Sequence, residues 1–305
     1  MRQYDSDDLR SQRAHIFELS GGLGNQLFQI EAAEMLCLKP VFDTSMLRPP
    51  FMNHASLAAK LVDKADEYVD RLEKIGFRKW SIENKIYSLG NILSKDRPFL
   101  GRLRLSEPGY DQHAVRTIVE AKKDLIIRGY FQSYKYLSFS PQGHNCRAFP
   151  LTSQAQIEIE RLRLHESPWA WMHVRRGDFQ NVRSTVGLLG PDYYRRGLEI
   201  IKRDTGIEKF VVFTDDFNTT SLLIDDIRGG LQMVHSDSSL DVASTLSLMN
   251  RADGAVLGNS TFSYWGAARN PNIKRIVTPL PWFKNAATPV DLIPPHWHRV
   301  ESDFI

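Results

Sequence analysis

In the C-terminal half of the chain, short apolar runs alternate with stretches whose apolar residues recur every three or four positions. The runs predict strands at Ala170–Val174, Lys209–Thr214, Leu231–His235, Gly254–Gly258 and Ile273–Thr278. Helical patterns lie between them, at about Asp192–Arg203, Thr219–Arg228, Leu240–Arg251 and Ser263–Ala268. Strands separated by short helices imply a parallel sheet with helical crossovers. Ligands of such sheets bind beyond the carboxyl ends of the strands. Four polar clusters fall at those ends: His173–Asp178, Thr214–Asp216, His235–Ser239 and Gly258–Thr261. Their convergence on one edge is the strongest pointer to a site.

The N-terminal half opens with a strand, Ile16–Leu19, that runs into Ser20–Gln26 and a helix ending at about Leu36. A second clear strand, Leu125–Arg128, leads into Gly129–Tyr136, whereas residues 40–120 show mixed amphipathic helices and no repeat. Pro141–Pro150 is rich in Pro, Gly, Asn and Gln and marks a domain crossover. The expected fold class is therefore α/β, with two Rossmann-like domains whose parallel sheets flank a cleft. The expected divisions are a polar tail over 1–14, an N-terminal domain over 15–145 and a C-terminal domain over 146–305.

Composition narrows the function classes. At 305 residues, 42% hydrophobic and 25% charged, the chain has the make-up of an ordinary globular protein with room for substantial cores. A formal charge of +3 gives no global reason to expect nucleic acid, and Arg195-Arg196 reads as a solvated face. Cys37 and Cys146 are too few and too far apart for a disulfide framework or a zinc knuckle, so both are expected as reduced thiols in a cytosolic protein. Neither a signal peptide nor an apolar stretch of about 18 residues is present in the sequence, which predicts a cytoplasmic protein, at most peripheral to the inner membrane face. Nothing in the sequence fixes an oligomeric state.

The motif Trp169–Asp178 places His173, Arg175, Arg176 and Asp178 where an apolar strand stops, with Gly177 allowing a tight turn. Adjacent guanidiniums there call for an anion, and the planar fork of arginine suits phosphate. The plainer alternative is a surface turn with Arg176 and Asp178 paired in solvent. In Gly21–Gln26, between strand and helix, glycines would let backbone N–H groups approach a phosphate at a helix N-terminus. Leu27 stands in place of the third glycine of a dinucleotide fingerprint, and a simple tight turn is the rival reading. Gly258–Trp265 repeats this logic, with Ser260 or Thr261 also suited to capping the next helix. Asp215 and Asp216 offer two carboxylates, but the one Asp-x-Asp is Asp5-Ser6-Asp7, in the tail. No metal is expected; the arginines would do that electrostatic work.

Four motifs together resemble the α-1,2-fucosyltransferases of glycosyltransferase family 11. They are Gly21-Gly-Leu-Gly-Asn-Gln-Leu-Phe-Gln29, Gly129-Tyr-Phe-Gln-Ser133, His173-Val-Arg-Arg-Gly-Asp178 and Asn259-Ser-Thr-Phe-Ser-Tyr-Trp-Gly266, in the family's order. Phe213-Thr-Asp-Asp216 and Pro281-Trp-Phe283 are similar to family features as well. The resemblance covers 16–36, 125–137 and 169–283, and little of 38–120.

That resemblance implies a GT-B-like fold, GDP-fucose as donor with no cofactor, and inverting transfer to the 2-hydroxyl of a terminal galactose on a glycan, free or lipid-linked. It implies that Arg175 grips the diphosphate and that Gly22, Gly24, Asn25, Gln26, Asn259, Ser260 and Thr261 belong to the donor site. His173 would contact guanine. Related enzymes carry an acidic residue on the helix before the Asn-Ser-Thr motif; here that place is Thr245, with Asp241 one turn earlier as a substitute and Asp215 nearby. Asp178 is the first candidate for the general base, Asp216 the second, and Arg176 supports the motif. Transfer with another donor or linkage, or a non-catalytic nucleotide-sugar or glycan-binding protein, is the competing expectation.

Overall fold

The structure is a computed structural model that describes residues 11, 13, 15–38, 40–43, 47, 101–105, 108–137 and 147–305. Cys146, Asp5-Ser6-Asp7, the polar tail before residue 11 and most of the Pro141–Pro150 crossover lie outside the described residues. The chain divides into two compact units, Met1–Ser138 and Phe139–Ile305.

Among the described residues the first unit holds four parallel strands: β1 (Ile16–Glu18), β2 (Val41–Asp43), β3 (Gly101–Arg104) and β4 (Leu125–Arg128). Their order is β2-β1-β4-β3. Helix α1 (Leu23–Leu36) leads from β1 towards β2, and α2 (Gln112–Val119) precedes β4. Asp111 caps α2 by accepting from the backbone N–H groups of His113 and Ala114. Cys37, just past α1, is a buried free thiol whose pKa is pushed up to about 12 by burial. It is inert packing, in keeping with the reduced thiol expected.

The second unit is a six-stranded parallel sheet with strands β5 (Ala170–Val174), β6 (Lys209–Thr214), β7 (Gln232–His235), β8 (Gly254–Val256), β9 (Arg275–Leu280) and β10 (His298–Glu301). The spatial order is β10-β9-β8-β5-β6-β7. Within this unit that is the doubly wound 3-2-1-4-5-6 arrangement, whose direction reverses between β5 and β8. The α/β parallel-sheet class expected from the sequence is the one observed.

Five helices accompany the sheet: α3 (Ser153–Arg161), α4 (Pro191–Thr205), α5 (Phe217–Ile227), α6 (Val242–Met249) and α7 (Thr261–Ala268). All five residues of β5 are buried, so its alternation decides only which helices each side chain meets. Ala170, Met172 and Val174 join the core with Tyr193, Tyr194, Leu198 and Ile201 of α4 and Leu223, Ile224 and Ile227 of α5. Trp171 points to the other face, where its indole N–H donates 3.0 Å to the carbonyl of Met249. His173, two residues on, sits against Phe262 on that same face, at 5.8 Å between ring centroids.

Capping explains where the helices start. Thr152, Asp216, Asp241 and Ser260 cap α3, α5, α6 and α7, each accepting a backbone N–H from the first turn. Thus α5 and α7 begin two residues before the apolar periodicity that predicts them. Helix α4 opens on Pro191 and closes on Gly206 at φ 72°.

Gly197 lets α4 lie close on β8, because a Cβ there would stand 2.7 Å from a methyl of Val256. Gly197→Val should therefore overpack this layer and cost ~1–3 kcal/mol, read as a lower melting temperature. An unchanged melting temperature would refute that close packing.

Candidate active site

The carboxyl ends of β5 and β8 adjoin at the point where strand order reverses. His173 is buried, and Tyr194 on α4 donates its hydroxyl to the His173 carbonyl at 3.2 Å. A Cβ on Gly258, just past β8, would lie 2.9 Å from that carbonyl oxygen and 3.2 Å from Nδ1 of the ring. Glycine is thus what allows the two strand ends to touch. Burial, and secondarily the charge of Arg175, lowers the His173 pKa to about 3, so the imidazole is neutral at physiological pH. Its Nδ1 is buried with no hydrogen-bond partner among the described residues.

Arg175 is held by two carboxylates. Its Nε lies 3.1 Å from Asp215 Oδ2 and its Nη2 lies 2.7 Å from Asp178 Oδ1, while Phe179 covers the guanidinium at 5.5 Å. Asp215 also accepts the backbone N–H of Arg176 at 2.8 Å. That carboxylate stands where Gly177 has no side chain: a Cβ would lie 2.6 Å from Oδ2. The surface pair expected between Arg176 and Asp178 is therefore replaced by Arg175–Asp178, since Asp178 lies three residues on, in the short 3-10 turn Asp178–Val182.

Arg176 instead turns inward. It is 3% exposed, and its Nη2 donates 2.8 Å to the Leu189 carbonyl. Asn259, also buried, donates from Nδ2 to the carbonyls of Val186 and Gly187, each at 3.1 Å. Both residues secure the main chain of the loop before α4 and have no exposed surface to offer a ligand. The Asn259 side chain thus has a scaffold role.

Asp216 is an N-cap: its two oxygens accept from the N–H and hydroxyl of Thr219 at 3.1 and 2.7 Å, which lowers its pKa. Asp241 caps α6 by accepting the Ser244 N–H at 2.7 Å, and its carbonyl accepts the Thr245 hydroxyl at 2.9 Å. Ser260 Oγ accepts the Phe262 N–H at 3.3 Å, and Thr261 opens α7 half-buried beside it.

In the first unit, Gly22 is the N-cap of α1 and Gly24 lies in its first turn. Gln26 is fully buried and its amide donates 2.8 Å to the Gly21 carbonyl, so it shapes the loop from beneath and does not face solvent. Asn25 accepts from Gln132 Nε2 at 2.9 Å, which ties the loop to the Gly129–Ser133 motif. Gln29 adds three bonds, to Ser20 N, Ser20 Oγ and the Gly129 carbonyl.

Strands β8, β5, β6 and β7 are consecutive in the second unit's sheet, so the four polar clusters lie along one carboxyl edge, with Arg175, His173 and the α7 N-terminus retaining hydrogen-bonding capacity. The sequence reading missed Tyr194, whose only signal is an aromatic pair at the start of an amphipathic helix. It also missed the clamping role of Asp215. Among the described residues no group of three His, Cys, Asp or Glu is placed to hold a metal ion, and no helix is long and apolar enough to cross a membrane.

Residues 127–282, just over half the chain, match glycosyl transferase family 11, and the chain belongs to that family. It is a glycosyltransferase, using a nucleotide-sugar donor and a glycan acceptor. The O-antigen biosynthesis glycosyltransferase WbnK of Escherichia coli is 24% identical over 296 residues, spanning 87% of this chain and 93% of that protein. An α-1,2-colitosyltransferase of Escherichia coli is 29% identical over 136 residues, 43% of this chain and 47% of the relative. A solved glycosyl transferase family 9 structure from Veillonella parvula covers 96% of this chain and 88% of its own at 9% identity and a TM-score of 0.48.

The depressed His173 pKa has a definite sign in stability. The unfolded chain takes up a proton near the ordinary value of 6.5 that the native state refuses until about 3. The contribution is complete above 6.5 and shrinks as pH falls, by up to ~1.4 kcal/mol per pH unit. Denaturant midpoints should fall on acidification less steeply in His173→Gln than in the native sequence. Equal slopes would contradict a buried neutral imidazole.

Proposed function

We propose that this glycosyltransferase is an inverting, metal-independent galactoside α-1,2-fucosyltransferase, moving L-fucose from GDP-fucose to the 2-hydroxyl of a terminal galactose. The observation that carries the reading is Arg175, fixed by Asp215 and Asp178 at the switch point of the second unit's sheet, where the neighbouring strand β8 leads into α7. A diphosphate is the ligand such a place suits, through a guanidinium and helix N–H groups. The neutral His173, with its unpartnered Nδ1, suits the hydrogen-bonding edge of a purine base. Ser260 and Thr261 at α7 are assigned to phosphate oxygens on the strength of the family motifs.

Fucose leaves through an oxocarbenium-like transition state, so negative charge grows on the β-phosphate as the bond to the sugar breaks. Arg175 and the loop N–H groups stabilise that growing charge more than the ground state, which is what accelerates transfer. This is the work that a divalent ion performs in metal-dependent transferases. The acceptor hydroxyl loses a proton as it attacks, and Asp178, half-exposed beside Arg175, is the better placed of the two carboxylates named for it. Asp216 has both oxygens engaged in its cap.

The 29% identity to an α-1,2-colitosyltransferase favours one second reading, in which the transferred sugar is colitose. A galactose-terminated acceptor on a lipid or polysaccharide carrier at the cytoplasmic membrane face fits the relation to an O-antigen transferase.

The test is a matrix of donors (GDP-fucose, GDP-colitose and UDP-galactose) against galactose-terminated glycans, with product linkage read by NMR. An α-1,2-fucosylated galactoside is expected. GDP binding with no transfer from any donor would replace the enzyme by a binding protein.

Arg175→Ala should lose ~100- to 1,000-fold in kcat, and Arg175→Lys should recover little, because a point charge does not reproduce the fork. Near-normal turnover in the lysine variant would refute the phosphate clamp. Asp216→Asn should keep near-normal turnover, because asparagine caps as well as aspartate. Asp178→Asn should lose most of its kcat. The reverse pattern would transfer the base role to Asp216.

A further inference from the structure

The exits of β1 and β4 in the first unit carry chemistry that donor binding leaves unused. In the order β2-β1-β4-β3 these two parallel strands are the central pair, so their carboxyl ends adjoin. At the last position of each, Glu18 and Arg128 form an ion pair across the strands at 2.8 Å, with the side chains 21% and 35% exposed. The pair stays in reach of solvent. It offers an acceptor and several donors side by side, the combination that binds adjacent sugar hydroxyls.

Two residues beyond Arg128, Tyr130 is 43% exposed, while Phe131, Gln132 and Ser133 are all buried. The reversal comes from Phe131, which sits in the left-handed region at φ 54°. A bulky residue held there costs ~1–3 kcal/mol and persists only where its surroundings over-determine it. Here they do: the Phe131 ring packs on Phe17 at 5.9 Å and edge-on to Tyr136 at 5.2 Å. Gln132 donates its N–H to the Pro108 carbonyl and its side chain to Asn25. Gln29 joins Ser20 after β1 to Gly129 after β4, so the two exits form one braced rim. The outcome of this strain is an exposed aromatic ring two residues along the chain from an open ion pair.

We propose that Glu18, Arg128 and Tyr130 form the binding site for the terminal sugar of the acceptor glycan. The apolar C–H face of the pyranose lies on the Tyr130 ring and its hydroxyls bond the Glu18–Arg128 pair. The inference rests on the reading that the acceptor is galactose-terminated, and it gives the rim a specificity role that the donor motifs do not cover.

The test uses Tyr130→Ala, Tyr130→Phe and Glu18→Gln in the full chain, measuring KM for acceptor and donor separately, GDP affinity by calorimetry and melting temperature. Saturation transfer from protein to methyl β-galactoside is recorded in parallel and needs no turnover. Tyr130→Ala should raise the acceptor KM about tenfold, equivalent to ~1.4 kcal/mol, with donor KM, GDP affinity and melting temperature unchanged. Tyr130→Phe should stay within about twofold of the native value, since the ring face and not the hydroxyl makes the contact. Glu18→Gln should raise acceptor KM alone. An acceptor KM and a saturation-transfer signal unchanged in Tyr130→Ala would overturn the proposal. If the donor is not GDP-fucose, the native enzyme fails in the transfer assay while the saturation-transfer contrast remains, which separates the two failures.

Discussion

One carboxylate organises the second unit's site. Asp215, at the end of β6, occupies the space left by the missing side chain of Gly177 and from there reaches both Arg175 Nε and the Arg176 N–H. Two adjacent guanidiniums at the end of a fully buried strand repel each other and resist desolvation. Asp215 supplies the compensating charge, and Asp178 completes the cradle from the other side. The motif's glycine is explained by this carboxylate more than by any turn it permits.

From that anchor, polar residues divide into those consumed by the scaffold and those with capacity left for a ligand. Arg176 and Asn259 spend their donors on the carbonyls of Leu189, Val186 and Gly187. The same loop is gripped from elsewhere by Lys284 and Asn285, and its Leu189 bridges to Phe304. Buried polar groups satisfied in this way rigidify their surroundings, and a preorganised site needs such rigidity. Arg175, His173 Nδ1 and the first turn of α7 are what remains for a diphosphate and a base. In the first unit, Gln26, Gln29 and Asn25 do the equivalent scaffold work beneath the glycine loop.

Much of this was legible in the chain, for physical reasons. Strands β4, β5 and β6 are apolar runs flanked by polar or turn-forming residues, and their bounds match the pattern residue for residue. Helix starts were read late because Asp216 and Ser260 act as caps, and a cap carries no periodicity. The short strands β2, β3 and β10 escaped notice; they lie at sheet edges, and β3, Gly-Arg-Leu-Arg, has a half-exposed pattern like that of a loop. Strand order depends on long-range pairing, so the switch point was not readable, although the clusters that meet there were. The plainer reading of an Arg176–Asp178 surface pair gives way to Arg175–Asp178 because Arg176 is drawn inward to the Leu189 carbonyl. The display of Tyr130 depends on a backbone angle at Phe131 that no residue type at that position announces.

The central claim, that Asp215 holds Arg175 in place for a diphosphate, is tested most directly by titrating GDP calorimetrically into the native protein and into Asp215→Asn. The account predicts at least about a tenfold loss of affinity, or ~1.4 kcal/mol, with the melting temperature lowered in parallel. A destabilised variant that binds GDP as tightly as the native protein would show that Asp215 serves the fold alone, and would contradict the claim.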